Sequence, residues 1–150
     1  MRFFTFLNKQ DEHDDIYVYL YLKSITEETG DLKRLIRCYE YNQSLQMPVK
    51  ASANPSMSGI TLTKAVDRYT PALNLAVAIN LVIPNAIIYF YSAKSKRIHY
   101  MITLTDVFIS STKQYLRKKL CDTFTLEFNK IKWEYDSSSS SWDLISKKPF

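Results

Sequence analysis

Two long, regular runs constrain the fold most: residues 98–111, IHYMITLTDVFISS, and residues 123–135, TFTLEFNKIKWEY. In the second, Phe124, Leu126 and Phe128 alternate with Thr125 and Glu127, the period-two pattern of a half-buried strand. The first predicts a strand reaching about Tyr115, and the basic stretch LRKKL predicts a turn between the two. Neither run holds a nucleophile beside a base, a metal-ligand spacing or a glycine-rich loop. The chain's most regular segments are strands without visible chemistry.

The remaining segments extend this pattern. In IYVYLYLK, Ile16, Val18, Leu20 and Leu22 share one face, and Tyr17, Tyr19 and Tyr21 share the other. Three aligned tyrosines are an expensive solvent face, so both faces are expected to be covered or interfacial. TGD at 29–31 reads as a turn and LIRCYEY at 35–41 as one strand. Residues 42–58, rich in Asn, Ser and Pro, read as a long loop. GITLTKAV at 59–66 sets Ile60, Leu62 and Lys64 against Thr61 and Thr63. Residues 69–93 carry no charge, enough length to span a bilayer. Asn74, Asn80, Asn85 and Pro84 argue instead for a short buried helix over 71–82, capped by Thr70 with Pro71 at its first position, then a strand. AKSKR reads as a hairpin turn, DSSSSS at 136–141 as a flexible turn, and WDLI at 142–145 as a last short strand. The sum is a mainly β fold of about seven strands and one flanking α-helix, an antiparallel barrel or sandwich.

Composition narrows function by exclusion. At 150 residues the chain is expected to form one domain over 16–150, preceded by an acidic N-terminal arm over 1–15. Glycine occurs only at Gly30 and Gly59, which excludes glycine-rich phosphate loops. The net charge of +5 comes partly from Lys94, Lys96 and Arg97 and from Arg117, Lys118 and Lys119, both clusters lying between strands. No nucleic-acid-binding signature accompanies them. Cys38 and Cys121 have neither a CxxC nor a zinc spacing and read as reduced thiols. His13 lies in the solvated segment DEHDD, and His99 opens a strand. Asp106 is a candidate catalytic acid or an edge carboxylate, with no recognised catalytic motif around it. The expectation is a protein without catalysis, metal or other cofactor. The apolar start, MRFFTFL, is too short for a signal peptide, so export is expected by a route that reads none.

In order along the chain, the segments resemble the haemolysin-coregulated protein family, Hcp, the tube protein of bacterial type VI secretion. GITLTKAVDRYTPAL resembles the family's strand, Lys-x-x-Asp and Ser/Thr-Pro helix start. IPNAIIYFYS resembles the strand that follows the helix, and HYMITLTDVFISS the long strand with its Leu-Thr-Asp core. LEFNKIKWEY resembles the last long strand, ending Ile-x-Trp-x-Tyr, and SWDL the C-terminal Trp segment. The chain departs in being glycine-poor, in carrying Ile79-Asn80-Leu81 where the family usually has a glycine, and in its acidic arm.

The resemblance implies a partly open β-barrel flanked by one helix. Six copies would form a ring, and stacked rings the inner tube expelled by a contractile sheath. The partners implied are other copies of itself, the sheath, baseplate and spike proteins, and effector proteins carried in the lumen, with neither nucleic acid nor membrane insertion. The protein would reside in the bacterial cytoplasm during assembly and then be secreted. The loop 42–58 resembles one that reaches the adjacent ring, which makes Met47, Pro48 and Val49 candidate inter-ring contacts. Tyr17, Tyr19, Tyr21, Asp106, Trp133 and Tyr135 are candidate inter-subunit or structural residues. A phage-type tail tube protein shares the same logic. A monomeric ligand-binding barrel, or a barrel binding nucleic acid through 94–97 and 117–119, are the readings of other classes.

Overall fold

The computed structural model describes residues 14–48 and 55–150, so most of the expected arm lies outside the described residues. The strands are β1 (Ile16–Leu22), β2 (Ile36–Cys38), β3 (Glu40–Asn42), β4 (Leu45–Gln46), β5 (Ser56–Met57), β6 (Ile60–Ala65), β7 (Ile83–Ser92), β8 (Arg97–Leu116), β9 (Leu120–Glu127), β10 (Lys130–Tyr135) and β11 (Ser138–Asp143). One α-helix, α1 (Thr70–Ala78), sits between β6 and β7. Seven of these strands are six residues or longer, and the other four have two or three. The fold is mainly β and antiparallel, with the single helix expected.

Hydrogen bonding runs in the order β2-β1-β7-β8-β9-β6-β3, with β10 branching from β8 and β11 from β10. The two ends of this order, β2 and β3, are consecutive in the chain and separated by Tyr39 alone. The segment 35–41, expected as one strand, is therefore two. Its first half pairs with β1, and its second with β6 at the far end of the order. A sheet whose first and last strands are joined by one residue must curl on itself, and the result is a partly open barrel. Inward residues of each strand fill it, among them Leu20, Leu22, Ile36, Ile60, Leu62, Ile88, Leu104 and Phe124, all fully buried.

The curl has a corner. Residues Ile83 and Asn85 of β7 pair with Val107 and Thr105, which sets Pro84 opposite Asp106. Proline has no N–H to give the ladder, and Asp106 takes a left-handed φ of 53°. On the other side of β8 the partner strand also breaks. Residues 100–105 pair with β10, and residues 108–116 with β9. The single strand expected over 123–135 is thus two, parted at Phe128 and Asn129. One line of irregular residues across three strands bends the sheet.

Two further expectations change. The serine run at 136–141 is an edge strand, not a flexible turn. Only Asp136 (φ 49°) and Ser137 turn, and β11 then pairs with β10 from Tyr135↔Ser138 to Lys130↔Asp143. An edge strand with exposed side chains needs only its backbone ladder, so apolar alternation is absent. The helix ends at Ala78, not 82. Leu81 N–H donates to the Ala76 carbonyl (2.9 Å) and Asn80 N–H to that of Val77 (3.2 Å), the paired bonds of a Schellman stop. Asn80 adopts φ 51°, and so does the work of the missing glycine.

The start of the helix rests on a buried ion pair. Lys64 of β6 and Asp122 of β9 are directly opposite each other and both fully buried. Lys64 Nζ lies 3.0 Å from Asp122 Oδ2, 2.8 Å from Asp67 Oδ1 and 2.9 Å from Thr70 Oγ1. The Thr70 hydroxyl donates to Asp122 Oδ2 (3.0 Å), and Gln114 Nε2 donates to Asp122 Oδ1 (2.7 Å). Thr70 is thus not the side-chain cap. Tyr69 holds the cap position without a side-chain bond, and Asp67 shapes the turn before it, accepting from Tyr69 N–H (2.9 Å) while its own N–H donates to Thr70 Oγ1 (3.1 Å).

Removing one member of a fully buried pair strands the other charge. Lys64→Ala or Asp122→Ala is expected to lower unfolding stability in urea by about 3–5 kcal/mol, and Lys64→Met/Asp122→Leu by much less. Equal losses in the double and single variants would contradict this account. Asn80→Ala is expected to cost about 1 kcal/mol and Asn80→Gly nothing, by the same assay.

Candidate functional site

Among the described residues no His, Cys, Asp or Glu cluster marks a metal site, and the exterior faces show the most distinctive arrangements. On the outer side of β1, Tyr17 stacks on Tyr91 of β7 (ring centroids 6.4 Å apart), and Tyr19 stands opposite Tyr89. Arg37 from β2 spreads over them. Its guanidinium carbon lies 4.3 Å from the Tyr17 ring centre, 5.6 Å from that of Tyr19 and 6.0 Å from that of Tyr39. Arg37 forms no ion pair among the described residues. Tyr21 belongs to the same row but is buried, its hydroxyl donating to Glu28 Oε1 (3.1 Å). Tyrosine with unpaired arginine is the composition of protein interface centres.

A second face is the outer side of α1. Thr70, Leu73 and Ala76 are buried against the barrel. Leu75, Ile79 and Val82 point away, each more than half exposed at 58%, 57% and 59%. The helix expected to be buried is therefore covered on one side only, and Leu75 on its open side is joined by Ile79 and Val82 from the segment just after it. A charge-free, exposed apolar face of this kind marks an association surface. A third face is polar. On the outer side of β6 and β9, Thr61 and Thr125 hydroxyls bond at 3.1 Å and those of Thr63 and Thr123 at 3.2 Å. Gly59 lies beside them, where an added Cβ would come 2.5 Å from Glu127 Oε1.

The loop over 42–58 leaves the barrel as a short ribbon, with Leu45 paired to Met57 and Gln46 to Ser56. Met47 is 62% exposed and Pro48 is also exposed, whereas Val49 lies outside the described residues. Met47 and Pro48 directly follow β4, at the end of the ribbon's described residues. The other candidates are separated from the tyrosine row. Trp133 Nε1 donates to Gln43 Oε1 (3.2 Å), which also accepts from the Tyr41 hydroxyl (3.1 Å). Tyr41 meets Phe90 edge-on, and Phe90 packs on Tyr100, so Trp133 joins an aromatic layer inside the barrel mouth. Burial pushes the Tyr41 hydroxyl up to about 12. Tyr135 is 57% exposed and stacks on His99. Asp106 sits at the sheet corner with Asn129 Nδ2 3.5 Å away.

Cys38 is buried, which pushes its thiol up to about 12. Among the described residues no three His, Cys, Asp or Glu side chains gather as a metal site, and no helix is long and apolar enough to cross a membrane. Arg37, the outward helix face and the buried Lys64 network were missed by the sequence reading. Lys64 had left a signal, because it shares its alternation with Ile60 and Leu62.

Comparison with known proteins agrees with this geometry. The family described as "Type VI secretion system effector, Hcp" matches residues 20–135. Hcp1 from Salmonella typhimurium superposes with a TM-score of 0.78 at 19% identity, covering 90% of this chain and 99% of that one. A type six secretion system protein gives 0.79 at 17% identity, covering 91% and 100%. Secreted protein Hcp3 from Pseudomonas aeruginosa gives 0.71 at 18%, covering 87% and 98%. No curated protein matches the chain in sequence. The structural likenesses establish the shared fold, and the match over residues 20–135 establishes that this chain belongs to the Hcp family of type VI secretion proteins.

Proposed function

We propose that the protein is a structural tube subunit whose copies join side by side into six-membered rings that stack into the inner tube of a contractile secretion machine. One observation carries this reading: a single protomer exposes a tyrosine–arginine face on β1, β2 and β7 and an unlike, charge-free apolar face on α1. Two different sticky faces on one chain are what head-to-tail closure of a ring requires, because each interface joins unlike surfaces. A two-fold dimer would need one face that complements itself. A monomeric ligand-binding barrel would need polar outer strands, which the face around Tyr17, Tyr19 and Arg37 does not provide.

In this assembly Tyr17 and Tyr19 contribute to subunit contacts, with Tyr21 fixing their strand from the buried side. Asp106 and Trp133 act structurally, one at the sheet corner and one in the barrel mouth. The threonine face suits a hydrated lumen able to hold effector proteins. Met47, Pro48 and Val49, at and beyond the ribbon's described end, reach the next ring. Sheath, baseplate and spike proteins are the further partners. No catalytic step, cofactor, nucleic acid or membrane insertion enters this function. Assembly takes place in the bacterial cytoplasm, and release from the cell follows.

Mass in solution tests the reading. Six-fold rings are expected by light scattering and negative-stain microscopy, and a monomer at tens of micromolar would overturn it. Arg37→Glu and Ile79→Glu are each expected to weaken ring formation at least tenfold while leaving thermal unfolding nearly unchanged, since both side chains lie outside the core. Deleting residues 44–56 is expected to leave rings intact and abolish their stacking into tubes. Unimpaired tubes would remove the inter-ring role of the ribbon.

A further inference from the structure

At the β7–β8 end of the barrel the aromatic layer opens into a groove of about 500 Å³, lined by Asp14, Ile16, Phe90, His99, Tyr100 and Tyr135. Its rim is unusually bare: Ile16 is 48% exposed and Tyr135 57%. Uncovered apolar surface calls for an occupant, and the way the chain enters this site identifies one. Asp14 lines the groove and is fixed there, its carboxylate accepting from the Ser92 hydroxyl and from Lys94 N–H (3.0 Å). Ala93 N–H donates to the Asp15 carbonyl (3.0 Å), which holds the next residue to the same turn. The N-terminal arm therefore leaves from the edge of the groove.

The arm's sequence is divided in two. Residues 8–13, NKQDEH, are polar, and residues 3–7, FFTFL, contain Phe3, Phe4, Phe6 and Leu7. A polar spacer of six residues spans at most about 20 Å when extended. Asp11 and Glu12 of that spacer precede by three and two residues Asp14, which is bonded to the basic turn of Lys94, Lys96 and Arg97, so the spacer's acidic sequence complements the charge of that turn. Arg97 already pairs with Asp136 (3.2 Å), whereas Lys94 and Lys96 have no carboxylate partner among the described residues.

We propose that the apolar segment of residues 3–7 docks into this groove of its own copy, with the acidic spacer lying along the 94–97 turn. The groove is thus a built-in receptor for an aromatic peptide segment, filled by the chain itself. Tethering by so short a spacer gives a local concentration in the millimolar range, enough for a contact of modest intrinsic affinity. The family match begins at residue 20, so arm, Asp14 and Ile16 lie outside the matched span. The device does not depend on the ring reading, because arm and groove belong to one protomer.

Two measurements test it on the full chain. In a Cys121→Ser background, Phe6→Cys with Tyr135→Cys is expected to form a disulfide within one chain under mild oxidation, read by peptide mass spectrometry. Links between chains only, or none, would overturn docking within one copy. Phe3→Ser, Phe4→Ser and Phe6→Ser combined are expected to raise binding of an apolar fluorescent dye at least threefold, because the groove is uncovered. A free arm predicts the opposite, since losing three exposed phenylalanines would leave the signal unchanged or lower it. Either result decides the matter without reference to tube assembly.

Discussion

The Lys64–Asp122 ion pair is the interaction on which the rest of the barrel depends. Burying two charges costs several kcal/mol each unless both are fully bonded, and here every donor and acceptor finds a partner. Lys64 donates to Asp67, Thr70 and the Ala65 carbonyl and stands 3.0 Å from Asp122 Oδ2, and Asp122 accepts from Thr70 and Gln114. The requirement for complete satisfaction links elements that are far apart in sequence. It fixes β6 against β9 at one register and holds the first turn of α1 to both. The spacing Lys-x-x-Asp-x-x-Thr-Pro follows from this: the lysine belongs to the strand, the aspartate shapes the turn before the helix, and the threonine begins the helix. An apolar pair at the same positions could fill the volume but would not dictate where the helix starts.

With β6, β9 and α1 fixed together, the bend in the sheet determines which surfaces face outward. Pro84 withholds a donor, Asp106 turns the backbone left-handed, and the neighbouring strand breaks at Phe128 and Asn129. The tyrosine row lies on one side of this line and the threonine ladder on the other. The corner thus separates an adhesive face from a polar one along a single long strand, β8. Tyr39 completes the enclosure from the other end by carrying the chain directly from one edge of the order to the other. Function in such a protein is a matter of where faces point, and two or three backbone irregularities direct them.

Much of this was legible in sequence because period-two alternation records burial directly. β1, β6 and β9 were read with their alternating residues, β8 was read in its extent, and Lys64 already shared the alternation of Ile60 and Leu62. The misreadings have physical causes. The serines of β11 looked like a linker because an exposed edge strand can be stabilised by its backbone alone. The division of 35–41 at Tyr39 was invisible because two short strands on opposite edges have the same local pattern as one. The outward helix face was missed because Leu75, Ile79 and Val82 resemble core residues in composition; only the position of the barrel shows which side is covered. Arg37 was illegible for a related reason, since two of its aromatic neighbours, Tyr17 and Tyr19, come from β1 and only Tyr39 from its own segment.

The scarcity of glycine shows how the fold is specified. Among the described residues six adopt left-handed backbone angles, Ser24, Asn80, Lys96, Asp106, Asp136 and Lys147, and none is glycine. An ordinary residue in that region costs about 1–2 kcal/mol, with Asn and Asp penalised less. Several of these positions compensate by closing a turn through their own N–H. Lys96 donates to the Ser92 carbonyl (2.8 Å), Asp136 to that of His99 (3.1 Å), Lys147 to that of Asp143 (2.8 Å) and Asn80 to that of Val77 (3.2 Å). The two actual glycines have no positive φ, and Gly59 is instead required by the closeness of Glu127 and Thr125. In this chain glycine serves side-chain clearance, while turns are set by hydrogen bonds to residues whose side chains remain available. At Asp136 that choice has a direct return. A glycine could make the same turn, but it could not hold Arg97, and with it the start of β8, beside the groove.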